Sequence, residues 1–214
     1  MASFPRAVLV VVAIGAALGV AGQSAAGLHP GMRWVVALGV PWLVAAFFAG
    51  VLAGDRARGA IAGATALVVG TLTYYALRVA FGGGGRLGAG GLPLDGLPIV
   101  AGWCVASVCG GTAFGWAGAL WRRGGSVANV LATAIVSGAL VGEALLLTQE
   151  WAGRGARLVL TAELAAGALA PFLLTRRRAL VVPALALTAA VAIVVAVTED
   201  GVRDALRDVG WHGA

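Results

Sequence analysis

Seven apolar runs dominate the sequence, and each is close to the roughly 20 residues that a helix needs to cross a bilayer. Only 11% of the residues are charged, and the mean hydropathy is +0.95, whereas about a quarter of the residues in soluble domains are charged. We therefore predict an all-α integral membrane bundle of about seven transmembrane helices over residues 1–198. A short extracytoplasmic tail follows over residues 199–214. The runs cover residues 6–22, 33–54, 59–80, 98–121, 126–148, 157–175 and 179–198.

The first run has two interpretations. MASFPR precedes AVLVVVAIGAALGVAG and then QSAAG, an order that also suits a cleaved signal peptide. We favour a retained helix, because a multi-pass chain needs no cleaved signal. If the segment were cleaved, six spans would remain.

Arginine placement predicts the orientation. One side of the membrane receives arginines in three very short loops, DRAR, WRRGG and TRRRA. The other side receives scattered arginines together with most of the acidic residues outside the spans. Because short cytoplasmic loops are enriched in basic residues, we predict a bacterial plasma-membrane protein with a cytoplasmic N-terminus and an extracytoplasmic C-terminus.

The absence of lysine excludes several classes of function. All fifteen basic residues are arginines, so the chain has no lysine for a Walker A loop or for a Schiff base. The arginines lie at the ends of apolar runs, which is typical of membrane proteins and does not indicate nucleic-acid binding. We predict no cofactor and no nucleic-acid partner.

Catalytic and metal sites are also poorly supported. The only histidines are His29 and His212, both outside the spans, and no nucleophile has an evident base. Cys104 and Cys109 are five residues apart on one predicted helix, so they point to different faces and do not predict a disulfide. The glycine-rich stretch over residues 82–98 reads as a flexible linker. We therefore predict that the protein is not an enzyme.

Two glutamates lie inside predicted spans. Glu143 occurs in GALVGEALLLTQE, about 8 Å from the outer end of its run, and Glu163 occurs in LVLTAELAAGALA, about 9 Å deep. Ionisable residues within spans usually face the bundle interior or a water-filled cavity. We predict that both carboxylates lie at similar depth in the outer half of the bundle.

Other polar and aromatic residues belong to the same end of the predicted bundle. They are Arg78, Tyr74, Tyr75 and Trp103. Together with Glu143 and Glu163 they predict an outward-facing polar ligand-binding pocket. The alternative is structural: Arg78 pairs with a glutamate or reaches the headgroups, the aromatics form an interfacial belt, and the glutamates hold helices in register.

Glycines recur at four-residue spacing in several runs, and this spacing predicts close helix packing along small-residue seams. The pairs are Gly15/Gly19, Gly50/Gly54, Gly59/Gly63, Gly111/Gly115 and Gly138/Gly142.

The stretch PWLVAAFFAGVLAGDRARGAIAGATALVVGTLTYYALR resembles a family of uncharacterised actinobacterial multi-pass membrane proteins, a domain of unknown function. The resemblance continues through GEALLL and implies an integral membrane protein with no established activity. The chain is also similar to the substrate-binding S components of energy-coupling-factor vitamin transporters, whose AxxxA docking motif corresponds here to Ala13 and Ala17. A seventh span departs from the six-helix pattern of those components.

Three functions follow as hypotheses, of which the least favoured is a membrane enzyme that uses the two carboxylates on a lipid or isoprenoid substrate. In the first, the protein is a small-molecule binding or transport component, in which the glutamates bind a cationic group or protons, Arg78 binds an anionic group and the aromatics stack on a ring. In the second, it is a structural or assembly protein without a ligand. The expected partners are the lipid bilayer, a small-molecule ligand, and another membrane protein or a second copy of the chain.

Overall fold

The computed structural model describes residues 4–28, 38–81, 97–150 and 154–208. The described residues form seven α-helices with no strand, which confirms the predicted all-α class. A short 3-10 turn at Arg178–Leu180 precedes the last helix. The helices are α1 (Phe4–Leu28), α2 (Val40–Ala53), α3 (Arg56–Phe81), α4 (Leu97–Arg123), α5 (Ser126–Glu150), α6 (Arg154–Leu174) and α7 (Val181–Asp208).

Six of these helices are long and apolar enough to cross a membrane, and α2 is the exception. With 14 residues, α2 is about 21 Å long, which is shorter than the roughly 30 Å hydrocarbon core. The second predicted run began at residue 33, whereas α2 begins at Val40, and residues 33–37 lie outside the described part of the chain. The first turn of α2 is buried against the neighbouring helices, since Leu38 and Val40 are each 4% exposed.

The last helix is longer than its apolar run. α7 continues as one helix to Asp208, so the predicted boundary between residues 198 and 199 falls within a helix. Glu199 and Arg203 consequently project from the same helix as the seventh span. Most of the predicted linker and the last six residues of the predicted tail lie outside the described residues.

The helices form two groups that meet through α4 and α5 and through α2. In the first group, α3 packs against α1 and α4; in the second, α5 packs against α6 and α7. α4 also packs directly against α5, and α2 contacts α3 and α4 on one side and α5 on the other. The position of α2 therefore contributes to how the two groups meet.

Successive helices run in opposite directions, so polar residues from distant parts of the sequence collect at two ends. We call the end with Glu143, Glu163 and Glu199 the carboxylate end. The opposite end, which carries the short arginine-rich connections, is the arginine end. The residues predicted to line one pocket all lie towards the carboxylate end, as their positions along the helices require.

Close helix contacts occur at the spaced glycines. Gly63 of α3 and Gly115 of α4 lie so close that a Cβ on Gly63 would be 2.7 Å from the Gly115 Cα. Gly138 and Gly142 of α5 leave similar room for α7, since their added Cβ atoms would meet Val191, Ala192 and Val195. The predicted small-residue seams are confirmed at these contacts, because a side chain there would separate the helices.

We predict that Gly115→Ala lowers the thermal stability of the detergent-solubilised protein. The new methyl group would lie 2.9 Å from the Gly63 Cα and closer still to the Gly59 carbonyl, and overpacking of this kind costs about 1–3 kcal/mol. The matched control is Gly201→Ala, because Gly201 lies within α7 and has nothing within 4 Å of its added Cβ. That control should unfold at the same or a higher temperature, since Ala favours a helix over Gly. Equal stability of Gly115→Ala and wild type would contradict the close α3–α4 contact.

Candidate functional site

The first turn of α2 is bonded to the side chain of Glu143. The backbone N–H of Gly39 donates to Oε1 of Glu143, and the N–H of Val40 donates to Oε2 at 2.6 Å. Pro41 has no N–H to satisfy, and the N–H groups of Trp42 and Leu43 bond to the Gly39 carbonyl at 3.0 and 3.1 Å. Every backbone donor at the beginning of α2 therefore has a partner.

This arrangement answers why a carboxylate lies in an apolar helix. Glu143 is 1% exposed, and an isolated carboxylate buried in this way would be strongly disfavoured. Two charge-assisted hydrogen bonds and the positive end of a helix dipole offset that cost. The carboxylate at once caps α2 and joins it to α5.

Glu163 lies in the same region but in a different environment. Its side chain is 9% exposed, and its Oε2 atom has no hydrogen-bond partner within the described residues. Four residues further along α6, Gly167 approaches the Ser137 carbonyl of α5, so this side of α6 faces α5. Glu163 is therefore a carboxylate in the bundle interior with acceptor capacity that the protein does not use.

A third carboxylate completes the cluster. Glu199 of α7 pairs with Arg203 at 2.7 Å, and the Arg203 side chain is only 3% exposed. A Cβ on Gly39 would lie 3.4 Å from Oε1 of Glu143 and 3.9 Å from Oε1 of Glu199, so these two oxygens flank the beginning of α2. Glu143, Glu163 and Glu199 are close enough for their charges to interact.

Glu199 lies in the predicted tail and was not among the predicted site residues. The sequence does contain a signal for it, because Glu199 and Arg203 have the i,i+4 spacing of a helical ion pair. That spacing indicates that the helix continues past the apolar run. The carboxylate cluster consists of Glu143, Glu163 and Glu199, and Arg203 pairs with Glu199.

The other predicted site residues form a separate group on α3 and α4. Arg78 donates to the Tyr74 hydroxyl at 2.9 Å, and the rings of Tyr74 and Tyr75 meet edge to face at 5.1 Å. Within the described residues, Arg78 forms no ion pair with Glu143 or Glu163. Trp103 is half-buried on α4. The structure thus places the six residues at one end of the bundle but in two groups.

An open groove of about 480 Å³ lies at the opposite end, between the beginning of α3, the end of α4 and the beginning of α5. Arg56 is its one charged lining residue, and none of the six predicted site residues lines it. The groove and the carboxylate cluster are therefore separate features.

Within the described residues, no group of three or more His, Cys, Asp or Glu side chains has an arrangement that would hold a metal ion. Cys104 and Cys109 are free thiols, which confirms that they do not form a disulfide. Ala13 and Ala17 lie on the exposed side of α1, away from the Gly15 and Gly19 contact with α3.

These features define a multi-pass helical membrane protein with a buried carboxylate cluster at one end. The chain belongs to a family of unknown function, DUF6518, whose model matches residues 1–202. This assignment confirms the predicted membership of an uncharacterised family. None of the curated proteins and none of the solved structures matches the chain.

We predict that Glu143→Ala destabilises the protein in the absence of any added ligand, and that Glu143→Gln does so less. Alanine removes both acceptors of the α2 amides, whereas glutamine keeps one oxygen; each hydrogen bond to a charged group contributes about 1.5–3 kcal/mol. The measurement is thermal unfolding in detergent. Asp200→Asn is the control, because Asp200 is an exposed carboxylate on α7 at the same end. Wild-type stability in Glu143→Ala would show that the capping interaction contributes nothing.

Proposed function

We propose that the protein is a small-molecule binding component of membrane transport, and that its ligand is a cation bound at the carboxylate cluster. The single observation that carries this proposal is the buried Glu163 carboxylate, whose Oε2 has no partner within the described residues. Such a group inside a span is costly and is commonly a ligand or proton site.

The charge balance of the cluster supports a cationic ligand. Three carboxylates lie within electrostatic range of one another, and Arg203 pairs with Glu199. Glu143 is engaged by the amides of Gly39 and Val40. Glu163 is therefore the member of the cluster with the greatest unused capacity to accept a hydrogen bond from an ammonium or guanidinium group, or to bind a proton.

The short α2 supports a transport role for this site. In many transporters, binding sites lie beside interrupted or short helices whose ends stop within the membrane. Here the beginning of α2 lies at the carboxylate cluster and is held by a single side chain of α5. A change in the charge of the cluster would alter the strength of the hydrogen bonds between Glu143 and the first turn of α2. Ligand binding would thereby shift this helix.

The arginine distribution predicts that the carboxylate end faces the outside of the cell. The site would then accept its ligand from the extracytoplasmic side. Because the sequence has no nucleotide-binding motif, active transport would require an ion gradient or a partner ATPase. Arg78 bonds to Tyr74, whose ring contacts Tyr75 on α3, so we do not include this group or Trp103 in the cation site.

A second function, in assembly, is favoured by the Glu143 contacts. Glu143 has a structural role, because it links α5 to α2 by accepting two backbone hydrogen bonds. This structural role explains why Glu143 is buried, but it does not explain why Glu163 is buried with an oxygen that has no partner. We therefore assign a structural role to Glu143 and the ligand site to Glu163.

The test is cation-dependent thermal stabilisation of the solubilised protein. Methylammonium, guanidinium and sodium chlorides are compared with N-methylglucamine chloride at constant ionic strength. We expect at least one of the three cations to stabilise wild type, by about 2.7 kcal/mol at a concentration 100 times its dissociation constant. Glu163→Gln should lose this stabilisation, because the amide cannot supply the charge.

Two further results distinguish the functions. Without ligand, Glu163→Gln should be at least as stable as wild type, since it removes a buried charge that lacks a full set of partners. Asp200→Asn should keep the cation response. If no cation stabilises wild type, or if Glu163→Gln responds as wild type does, the cation site is wrong and the assembly function is preferred.

A further inference from the structure

Buried polar groups continue from the carboxylate cluster towards the arginine end. Thr133 and Ser137 of α5 are 0% exposed, and Thr188 of α7 is 5% exposed. None of the three hydroxyls has a hydrogen-bond partner within the described residues, not even a carbonyl of its own helix. Leaving a buried hydroxyl unpaired lowers stability, so three of them in one region require an explanation.

The helix contacts place Asn129, Thr133 and Ser137 in one line on α5. Asn129, Thr133 and Ser137 recur every four residues and share one side of α5. That side faces α6, because Asn129 donates to the Leu174 carbonyl at 3.2 Å and the Ser137 backbone lies against Gly167.

Thr188 lies at a similar depth on α7, on the side of that helix that faces Gly138 and Gly142 of α5. It lies one turn before Ala192, which contacts Gly142 of α5. Since Gly138 lies opposite Val191, Thr188 is at a depth between those of Thr133 and Ser137.

Along the bundle axis, these buried polar groups are spaced for one or two bridging water molecules. Gly167 lies against Ser137, Leu140 and Val141, and Glu163 precedes it by four residues, so Glu163 lies about 9 Å beyond Ser137 at the depth of Glu143. The other successive members are separated by about 6 Å or less along the axis. We call this group of buried polar residues the polar file; it consists of Asn129, Thr133, Thr188, Ser137, Glu163, Glu143 and Glu199.

Buried polar groups that lack protein partners are the places where ordered water is commonly held. We propose that the polar file is a proton path, which carries protons between the carboxylate cluster and the arginine end through these hydroxyls and bridging water. This inference rests on the proposed function in one respect, because Glu163 is the proton-binding group at the carboxylate end of the path.

The chemistry of the file selects protons over larger cations. Between Glu163 and Asn129 it offers only hydroxyl groups on fully or almost fully buried residues, with no carboxylate to replace the hydration shell of a metal ion. A proton needs only hydrogen bonds that can reverse their direction. In each transfer an O–H bond forms on the acceptor as one breaks on the donor, so one proton crosses and no other group changes.

Charged groups lie near both ends of the file. Glu143, Glu163, Glu199 and Arg203 lie at the carboxylate end on α5, α6 and α7. At the arginine end, Asn129 accepts a hydrogen bond from the Arg176 backbone, and the exposed Arg176 guanidinium bonds to the carbonyls of Trp121 and Arg122.

The experiment uses the full chain in liposomes that contain a pH-sensitive dye. A potassium diffusion potential set with valinomycin drives protons inward, and the initial rate of acidification is measured. We expect wild type to exceed protein-free liposomes. Ser137→Ala and Thr133→Val should each reduce that excess about tenfold, the effect on a rate of losing roughly one hydrogen bond from the path.

Controls separate a lost path from a damaged fold. Thr161→Val removes an exposed hydroxyl of α6 that bonds only to its own helix, at 2.7 Å to the Arg157 carbonyl, and it should conduct as wild type does. Thr133→Val preserves the shape of the side chain, so its thermal stability should not fall. The proton path is overturned if wild type conducts no better than protein-free liposomes, or if both path variants conduct as well as wild type.

The outcome is independent of the cation-binding test. Ser137→Ala should keep the cation-dependent stabilisation that Glu163→Gln loses, because it leaves the carboxylates unchanged. If the protein binds a cation but does not conduct protons, the proton path is wrong and the cation site at Glu163 is retained. If the protein conducts protons through Ser137 but none of the three tested cations stabilises it, the cation ligand is wrong and the proton path is retained.

Discussion

The beginning of α2 depends on the hydrogen bonds between the Glu143 carboxylate and its first turn. The first amides of a helix have no partner within that helix, and Leu38 and Val40 at this turn are buried. Glu143 supplies the missing acceptors from α5. α2 also packs against α3 and α4, so these bonds join the two groups of helices beside the direct packing of α4 against α5.

The same interaction gives the two intramembrane glutamates different roles. Glu143 accepts hydrogen bonds from two backbone amides. Glu163 lies at nearly the same depth, but its Oε2 has no partner within the described residues. Glu199 adds a third carboxylate beside Gly39 and brings Arg203 with it. The charges of Glu163 and Glu199 act on Glu143, so a change in either charge would alter the hydrogen bonds at the beginning of α2.

Much of the fold could be predicted from apolar runs, since helix number and direction follow from run length and the order of the chain. The common depth of Glu143 and Glu163 followed from the helical rise alone. The beginning of α2 was missed because the apolar character continues from Trp34 into the run, although Pro41 in the first turn is a residue type favoured where helices begin. Glu199 was missed because polar composition suggested a tail, whereas its pairing with Arg203 extends the helix.

Hydrogen–deuterium exchange of residues 38–43 tests the central interaction most directly. In this segment the amides of Gly39 and Val40 have no acceptor other than Glu143, and Pro41 has no amide hydrogen. Slow exchange in wild type and fast exchange in Glu143→Ala, with the rest of α2 still protected, is the predicted result. Fast exchange in wild type, or equally slow exchange in both proteins, would show that Glu143 does not hold the beginning of α2.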